Sequence, residues 1–517
     1  MELASLIKQL VSDKGLTTAR LEKTKRRLAY QNNQVCPTNV ALLKAYRDLL
    51  KDHEIKPNPR LERLLRTRAV RTLSGVAVIS VLTKPYRCPG DCLFCPTEKN
   101  VPKSYSPNEP AVMRAILCQY DPSRQVQARL QSLARTGHDT SKCELIVIGA
   151  TFLAYPKKYQ AWFIKRCFDG FNGQNYSTLA SSQKANETAR HRCIGLSVET
   201  RPDTISLESV AWLRTLGATR IELGVQHLDD QVLEYNRRGH TVAQTAAATK
   251  LLKNSGFKIC YHLMPGLPHS TPAKDIAFFQ KTFSDSRFRP DLLKIYPCVV
   301  TKFSPLYRLW KNGHYRPLNT QRLLNLLIKL KRIVPRYVRI SRLIRDIPAN
   351  EICGGNKVTN LRQEIQRLMA RKNIKCRCLR CREARQQPAN LGQVKLFIEQ
   401  YLSAGGREYF LSYESRDRQT LFAFLRLRLP GETFLKELKN CALIRELHTY
   451  GEVVPVGARK KKSSQHLGLG RQLMAAAEKI AAQQKFAKMA VISGIGVRGY
   501  YRKLGYRRQG TYLIKKL

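Results

Sequence analysis

Negative charge is what this 517-residue chain has least of: 38 Asp and Glu stand against 91 Lys and Arg, a net charge of +53 with histidine neutral. Such a surface excludes self-neutralisation and opposes nonspecific self-association, and its field concentrates polyanions. Nucleic acid is the first candidate partner and an anionic membrane surface the second. No apolar run reaches the roughly 18 residues of a spanning helix, so no transmembrane segment is expected. The opening Met1-Glu2-Leu3-Ala4 lacks the basic-then-apolar pattern of a secretory signal. No internal repeat and no low-complexity tract is present. A disulfide framework is also missing: the 15 cysteines are odd in number, and six of them sit in two tight clusters. That pattern indicates metal chemistry in a reducing compartment, with the cytoplasm as the expected location. What is present is 43% hydrophobic and 25% charged residues, the balance of a soluble globular protein.

The length allows about three domains of ~150 residues. Residues 1–73 read as a basic helical region, in which Arg20 to Arg27 and Leu61 to Arg71 mix cations with leucines at helical spacing. Either segment alone could be a solvated face; the overall sign favours a polyanion-binding arm. Residues 74–300 change to short apolar runs between helical stretches. The strand candidates are Val76–Leu82, Leu145–Ile148, Ile194–Val198, Arg220–Val225, Lys258–Met264 and Leu292–Tyr296. Strands alternating with helices predict a parallel sheet buried on both faces, here a partial or full α/β barrel with its chemistry at the strand C-termini. Residues 301–392 form a second basic zone, read as a linker. Residues 393–517 read as a separate α/β domain, with strands at Glu408–Tyr413, Thr420–Leu429, Ala442–Tyr450 and Ala487–Ser493 and a helix at Leu469–Gln483.

The strongest motif is Cys88-Pro-Gly-Asp-Cys92-Leu-Phe-Cys95, just after the first strand. Three thiolates hold three irons of a 4Fe-4S cluster and leave the fourth iron without a protein ligand. S-adenosylmethionine can chelate that iron, and its reductive cleavage yields a carbon radical able to attack C–H bonds. A zinc knuckle lacking one ligand is the bland alternative. The triad resembles the radical S-adenosylmethionine signature.

Further blocks narrow the resemblance. They are Tyr105-Ser-Pro-Asn-Glu-Pro-Ala-Val-Met-Arg-Ala115, Tyr120-Asp-Pro122, Glu199-Thr-Arg-Pro-Asp203, Gly224-Val-Gln226, Arg238-Gly-His-Thr241, Met264-Pro-Gly-Leu-Pro268, Leu293-Lys-Ile-Tyr-Pro297 and Arg345-Asp-Ile-Pro348. In this order they resemble the Elongator catalytic subunit family, over about Arg66 to Leu517. The compact cysteine spacing is similar to the prokaryotic, single-chain branch. One departure is Gly149-Ala-Thr-Phe152, with Ala150 where the family has glycine.

A second cluster, Cys376-Arg-Cys378-Leu-Arg-Cys381, supplies three soft ligands where structural zinc takes four. The alternative is three reduced cysteines in a basic loop. Cys353 is a candidate fourth ligand beside several histidines. The family resemblance implies a zinc-binding linker here, and the interleaved Arg377, Arg380 and Arg382 suggest a phosphate-facing surface.

Near the C-terminus, Gln465-His-Leu-Gly468-Leu-Gly470 precedes an Ala-rich helix. Glycines admit close backbone approach, and a helix N-terminus offers amides to a pyrophosphate. With the Ile444-Arg-Glu-Leu-His-Thr-Tyr-Gly451 strand and Gly499-Tyr-Tyr-Arg-Lys-Leu-Gly-Tyr506, the pattern resembles a GCN5-related acetyltransferase domain that binds acetyl-CoA. The resemblance implies that Glu446, Leu447, His448, Thr449, Gln465, Gly468, Leu469, Gly470 and Arg471 line the cofactor, with Tyr501 near the thioester. It also implies that Lys142 reaches acetyl-CoA from the barrel and places Glu199 among the cofactor-binding residues. Lys142, Tyr500 and Tyr501 are the catalytic candidates, although either tyrosine could be a core aromatic.

A radical generator and an acetyl thioester on one chain suggest that hydrogen is taken from the acetyl methyl and that this carbon joins C5 of a pyrimidine. The resemblance implies a tRNA wobble uridine, the anticodon stem-loop as partner and 5-carboxymethyluridine as product. A homodimer is compatible with the sequence, and no membrane or obligatory protein partner is evident. The rival readings are a protein lysine acetyltransferase and a non-catalytic tRNA-binding scaffold.

Overall fold

The computed structural model describes residues 3–68, 72, 74–384, 394–451 and 468–517. The chain opens with helices Leu3–Ser12, Thr18–Gln31, Asn39–Lys51 and Pro59–Leu65. Thr17, Thr38 and Asn58 start the last three by accepting hydrogen bonds from free first-turn amides. Leucines at helical spacing, among them Leu6, Leu10, Leu21, Leu42 and Leu61, close a separate small core around Tyr46. Each fully buried leucine there contributes about 1.5–3 kcal/mol. Lys25 does not belong to the expected cationic surface. It is buried, and its ammonium donates to Glu22 at 3.0 Å and to Asn39 at 2.9 Å.

Strands β1 (Ala77–Leu82), β2 (Lys142–Ile148), β3 (Arg192–Thr200), β4 (Arg220–Gln226), β5 (Lys258–Leu263) and β6 (Leu292–Ile295) fall where the apolar runs predict strands. They form one all-parallel sheet in chain order. Two short strands, β7 (Val300–Thr301) and β9 (Ile352–Gly354), pair with each other outside it. The sheet takes a seventh member, β8 (Arg339–Arg342), from the region read as linker. Arg-Ile-Ser-Arg carries too little apolar pattern to announce a strand; its pairing with β6 is a tertiary effect.

The order runs from β1 to β8 without closure, so the barrel is partial. Its two faces differ, contrary to the sheet buried on both sides that the sequence suggests. In β2, Cys143, Leu145 and Val147 pack into the main core, and Lys142, Glu144 and Ile146 line an open chamber. The period of two in a strand makes this division.

The C-terminal sheet comprises β10 (Val394–Ser403), β11 (Gly406–Ser415), β12 (Leu421–Pro430), β13 (Cys441–Thr449), β14 (Lys488–Val491), β15 (Arg507–Gln509) and β16 (Tyr512–Lys516). Its order is β10-β11-β12-β13-β14-β16-β15, antiparallel except between β13 and β14. The half-exposed β10 and the short β15 and β16 are the strands that the sequence pattern does not reveal.

The two sheets meet through buried ions. Arg445 on β13 donates to Asp291, just before β6, at 2.6 and 2.9 Å, and Arg428 donates to Asn254 and Glu408 at 2.8 Å each. Close packing reinforces this joint: a Cβ on Gly494 would lie 2.0 Å from the Ile194 carbonyl oxygen. Only glycine lets that loop lie on β3.

Candidate active site

The loop after β1 carries Cys88, Cys92 and Cys95 to the C-terminal edge of the parallel sheet, where such folds place their chemistry. It is knitted to its neighbours by Leu93 N–H donating to the Asn236 carbonyl and Leu306 N–H to the Leu93 carbonyl. Cys92 is buried beside Phe94, Met264 and Leu267. Its thiol is lowered to about 5, first by a hydrogen bond from Cys95 and then, against the cost of burial, by the charges of Arg238 and Arg201. A Cβ on Gly90 would sit 2.0 Å from Arg201 Nη1, so glycine is what admits that guanidinium to the cysteine loop. Arg201 Nη1 is buried without a hydrogen-bond partner. Three thiols ringed by buried cations fit an anionic iron–sulfur cluster. Beside them, Glu199 accepts from Tyr105 at 2.8 Å and from Lys294 at 3.0 Å. Ala150 sits at φ 69°, a left-handed backbone that costs a methyl-bearing residue about 1–2 kcal/mol.

The second pole arises where β13 and β14 part. They pair only from Cys441–Lys488 to Ile444–Val491, after which β13 continues along β12 with an irregularity at Arg445. The edge from Glu446 to Thr449 is thereby opened. Gly468, at φ 73°, begins helix Leu469–Gln483. A Cβ on Gly470 would lie 3.1 Å from Tyr500 Oη and 3.8 Å from Thr449 Cγ2, which places loop, strand and tyrosine together. Tyr501 lies edge-on to Tyr500 with ring centroids 5.1 Å apart, and burial raises both phenols.

Not every candidate side chain is available to a ligand. Leu469 is buried in the C-terminal core, which leaves its backbone alone to face a ligand. Glu446 is held by Arg426 at 2.9 Å and Lys258 at 3.3 Å; burial would raise its carboxyl, but these cations keep it well below the usual range. His448 donates from Nε2 to the Ser74 carbonyl at 3.0 Å. Gln465 lies outside the described residues.

Both poles open into one continuous cavity of about 1840 Å³ through the concave side of the sheet. It is lined by Cys88, Cys92, Cys95 and Glu199 at one end and by Leu447, Thr449, Gly468, Gly470, Arg471, Tyr500 and Tyr501 at the other. Glu446 and His448 also border it, and Lys142 enters from the first position of β2. Burial holds the Lys142 ammonium below the ordinary lysine range, partly offset by Asp139.

The Radical SAM superfamily profile matches residues 83–279, and the Radical SAM C-terminal domain profile matches residues 290–371. A tRNA uridine(34) acetyltransferase of Methanocaldococcus jannaschii is 46% identical over 470 residues, spanning 88% of this chain and 87% of the relative. The Homo sapiens Elongator complex protein 3 is 40% identical over 471 residues, 88% of this chain and 86% of its own length. A solved structure of the archaeal Methanocaldococcus infernus Elp3 with an N-terminal deletion superposes with a TM-score of 0.76 at 41% identity, covering 86% of this chain and 100% of that one. The chain belongs to the Elongator complex protein 3 family.

In this Elongator-family chain, the ligand atoms of Cys376, Cys378 and Cys381 all lie within 4.8 Å of one another. Such a donor set fits a tetrahedral zinc ion with one further position. Cys353 is not near it: that residue packs with the Cys92 group and Trp310 instead. The buried Lys331 ammonium lies 3.8 Å from Cys381 Sγ. Nor do the interleaved arginines all face outward. Arg382 is buried and paired with Glu414 at 2.9 Å, and Arg380 pairs with Glu383 at 3.3 Å.

The lumen between the poles holds residues that sequence reasoning missed. Glu222 binds Lys294, accepts from His262 Nε2 at 2.9 Å and pairs with Arg220 at 3.2 Å. The signal was present: charges inside Arg220–Val225, Lys258–Met264 and Leu292–Tyr296 do not belong in strands covered on both faces.

Among the described residues, no helix is long and apolar enough to cross a membrane.

Proposed function

We propose that this chain modifies the wobble uridine of tRNA. The methyl group of acetyl-CoA would give up a hydrogen atom to the S-adenosylmethionine-derived radical, and its carbon would replace the hydrogen at uridine C5. That hydrogen would leave as a proton, with one electron returned to the cluster that spent one in forming the radical. Hydrolysis of the thioester would release coenzyme A and leave 5-carboxymethyluridine. The observation that carries this reading is the single chamber running from the cysteine triad to Gly470 and Tyr500. An acyl transfer to a free amine would need the C-terminal pole alone and would leave the barrel end of the chamber without a use.

Cys88, Cys92 and Cys95 would hold a 4Fe-4S cluster, and Glu199 stands beside them for S-adenosylmethionine. When bound, these groups supply a carbon-centred radical that takes hydrogen from an unactivated C–H bond. The chain's own part is to bind, orient and shield. The backbone amides of Gly468, Leu469 and Gly470 would face the pyrophosphate of acetyl-CoA, since the Arg471 amide is already donated to the Gly468 carbonyl at 2.9 Å, and Leu447 and Thr449 would flank its pantetheine arm. Tyr500 and Tyr501 would lie at the thioester. Lys142, its charge disfavoured by burial, is a proton donor and acceptor for hydrolysis. Cys376, Cys378 and Cys381 would hold zinc to brace the segment that joins the two sheets. The cationic surface would grip the anticodon stem-loop, whose unstacked bases can be splayed into a pocket.

The test is to incubate the anaerobically reconstituted chain with unmodified tRNA, a reductant, S-adenosylmethionine and methyl-labelled acetyl-CoA, then analyse digested nucleosides by mass spectrometry. Label in 5-carboxymethyluridine that requires S-adenosylmethionine is the expected result. Label on peptide lysines without S-adenosylmethionine would instead establish the amine acetyltransferase.

A further inference from the structure

The cysteine end of the chamber holds a buried positive charge without a carboxylate to balance it. Arg238 is buried, in the loop between helices Asp230–Tyr235 and Val242–Asn254. Its Nη1 lies 3.5 Å from Cys92 Sγ, its Nη2 donates to the Gly224 carbonyl, and its Nε has no hydrogen-bond partner. Among the described residues, no Asp or Glu forms an ion pair with it. Arg201, its neighbour on the same side, differs: Asp203 accepts from its Nε at 2.9 Å and from its Nη2 at 3.0 Å. His240, also buried, is held neutral by its burial and by these two arginines.

A guanidinium out of water is costly unless an anion faces it. Here the facing atom is a ligand sulfur. Glycine at position 224 makes the approach possible, since a Cβ there would sit 2.7 Å from Arg238 Nη2. The backbone fixes the position as well, through Arg238 N–H to the Leu233 carbonyl at 2.9 Å and Leu93 N–H to the Asn236 carbonyl at 3.2 Å. The cysteine loop and the arginine loop are therefore tied to each other through the backbone.

We infer that Arg238 is the built-in counter-charge of the cysteine site, a positioning residue that raises the reduction potential of the cluster held there. A three-thiolate 4Fe-4S cluster gains one negative charge when a low-potential one-electron donor reduces it. A fixed cation and a hydrogen bond at the sulfur stabilise the reduced form more than the oxidised one. Arg201, neutralised by Asp203, contributes less. The inference rests on the reading of Cys88, Cys92 and Cys95 as the cluster ligands, and is independent of the tRNA substrate.

The test uses the full chain, reconstituted anaerobically without tRNA or acetyl-CoA, as wild type, R238Q, R238K and R201Q. Iron and sulfide content are measured first, and the cluster is then titrated against potential and followed by electron paramagnetic resonance. R238Q should show at least a tenfold lower reduced-to-oxidised ratio at the wild-type midpoint, a shift of about 59 mV to the negative for one electron. R238K keeps the charge and should stay close to wild type, and R201Q should shift less than R238Q. An unshifted R238Q cluster, or an R201Q shift as large as that of R238Q, overturns the inference. If R238Q takes up no iron, an R238K chain that does supports a charge requirement, and loss in both overturns it. A wild-type chain without a cluster would overturn the cysteine reading and this inference together.

Discussion

Asp291 and Arg445 face each other across the junction of the two sheets, fully buried, with both guanidinium ends on the carboxylate at 2.6 and 2.9 Å. Asp291 also accepts from the Ile259 amide at 2.9 Å. The pair therefore ties β5 of the half-barrel to β13 of the C-terminal sheet, and β13 carries the wall of the second pole. Asp291→Asn removes one of the two buried carboxylates that face Arg445, leaving only Glu408 at 3.1 Å, and should cost up to about 3–5 kcal/mol in denaturant unfolding. A loss under 1 kcal/mol would mean that the joint is held by packing.

The same junction predicts acid lability. Burial would raise the carboxyl of Glu408, but Arg445, Lys253 and Arg428 outweigh it and lower it to about 2, against an ordinary value of 4.5. A depressed carboxylate gives stability that is present above the unfolded value and lost as pH falls through the folded one. Stability should therefore drop between about pH 4.5 and 2, which thermal melts across that window would read. Glu408→Gln should flatten the slope.

Cys92→Ser should abolish both the iron–sulfur absorbance and uridine modification while leaving tRNA affinity within about twofold. Retained modification would remove the radical chemistry from the proposal.

Gly470→Ala puts a methyl 3.1 Å from Tyr500 Oη, tighter than ordinary contact, in the loop assigned to pyrophosphate. Calorimetry should show acetyl-CoA binding weakened about tenfold, or ~1.4 kcal/mol. The double variant with Tyr500→Phe relieves the contact and should recover part of it. Undiminished affinity in Gly470→Ala would move the cofactor elsewhere.

Arg26 and Arg27 are exposed on helix Thr18–Gln31, whereas Lys25 is buried and paired. Arg26→Gln with Arg27→Gln should weaken tRNA binding and reduce the log–log salt slope by about 0.7–0.9 per lost phosphate contact. Lys25→Gln should lower the melting temperature and leave the slope unchanged. Filter binding at several salt concentrations separates the two.

Much of this was legible from residues close together in the chain. The Cys88, Cys92 and Cys95 spacing, the six apolar strands and the helix after Gly468 depend on local periodicity and on turns of a few residues. The backbone expresses these wherever it is placed. Residues whose meaning depends on a distant partner were not legible. β8 is a strand because β6 offers it an edge, Cys353 joins the Cys92 group because β7 and β9 pair, and Lys25 is buried by a helix that begins at Asn39. The single chamber belongs to this second kind. Alternation within β2 assigns Lys142 and Glu144 to one face, but the curvature of the sheet and the docking of β13 against it make that face the inside of a passage. Local sequence specifies the two reactive motifs and the elements that carry them. The tertiary structure decided that they share one space, because only long-range packing and buried ion pairs such as Asp291 with Arg445 bring the two sheets together.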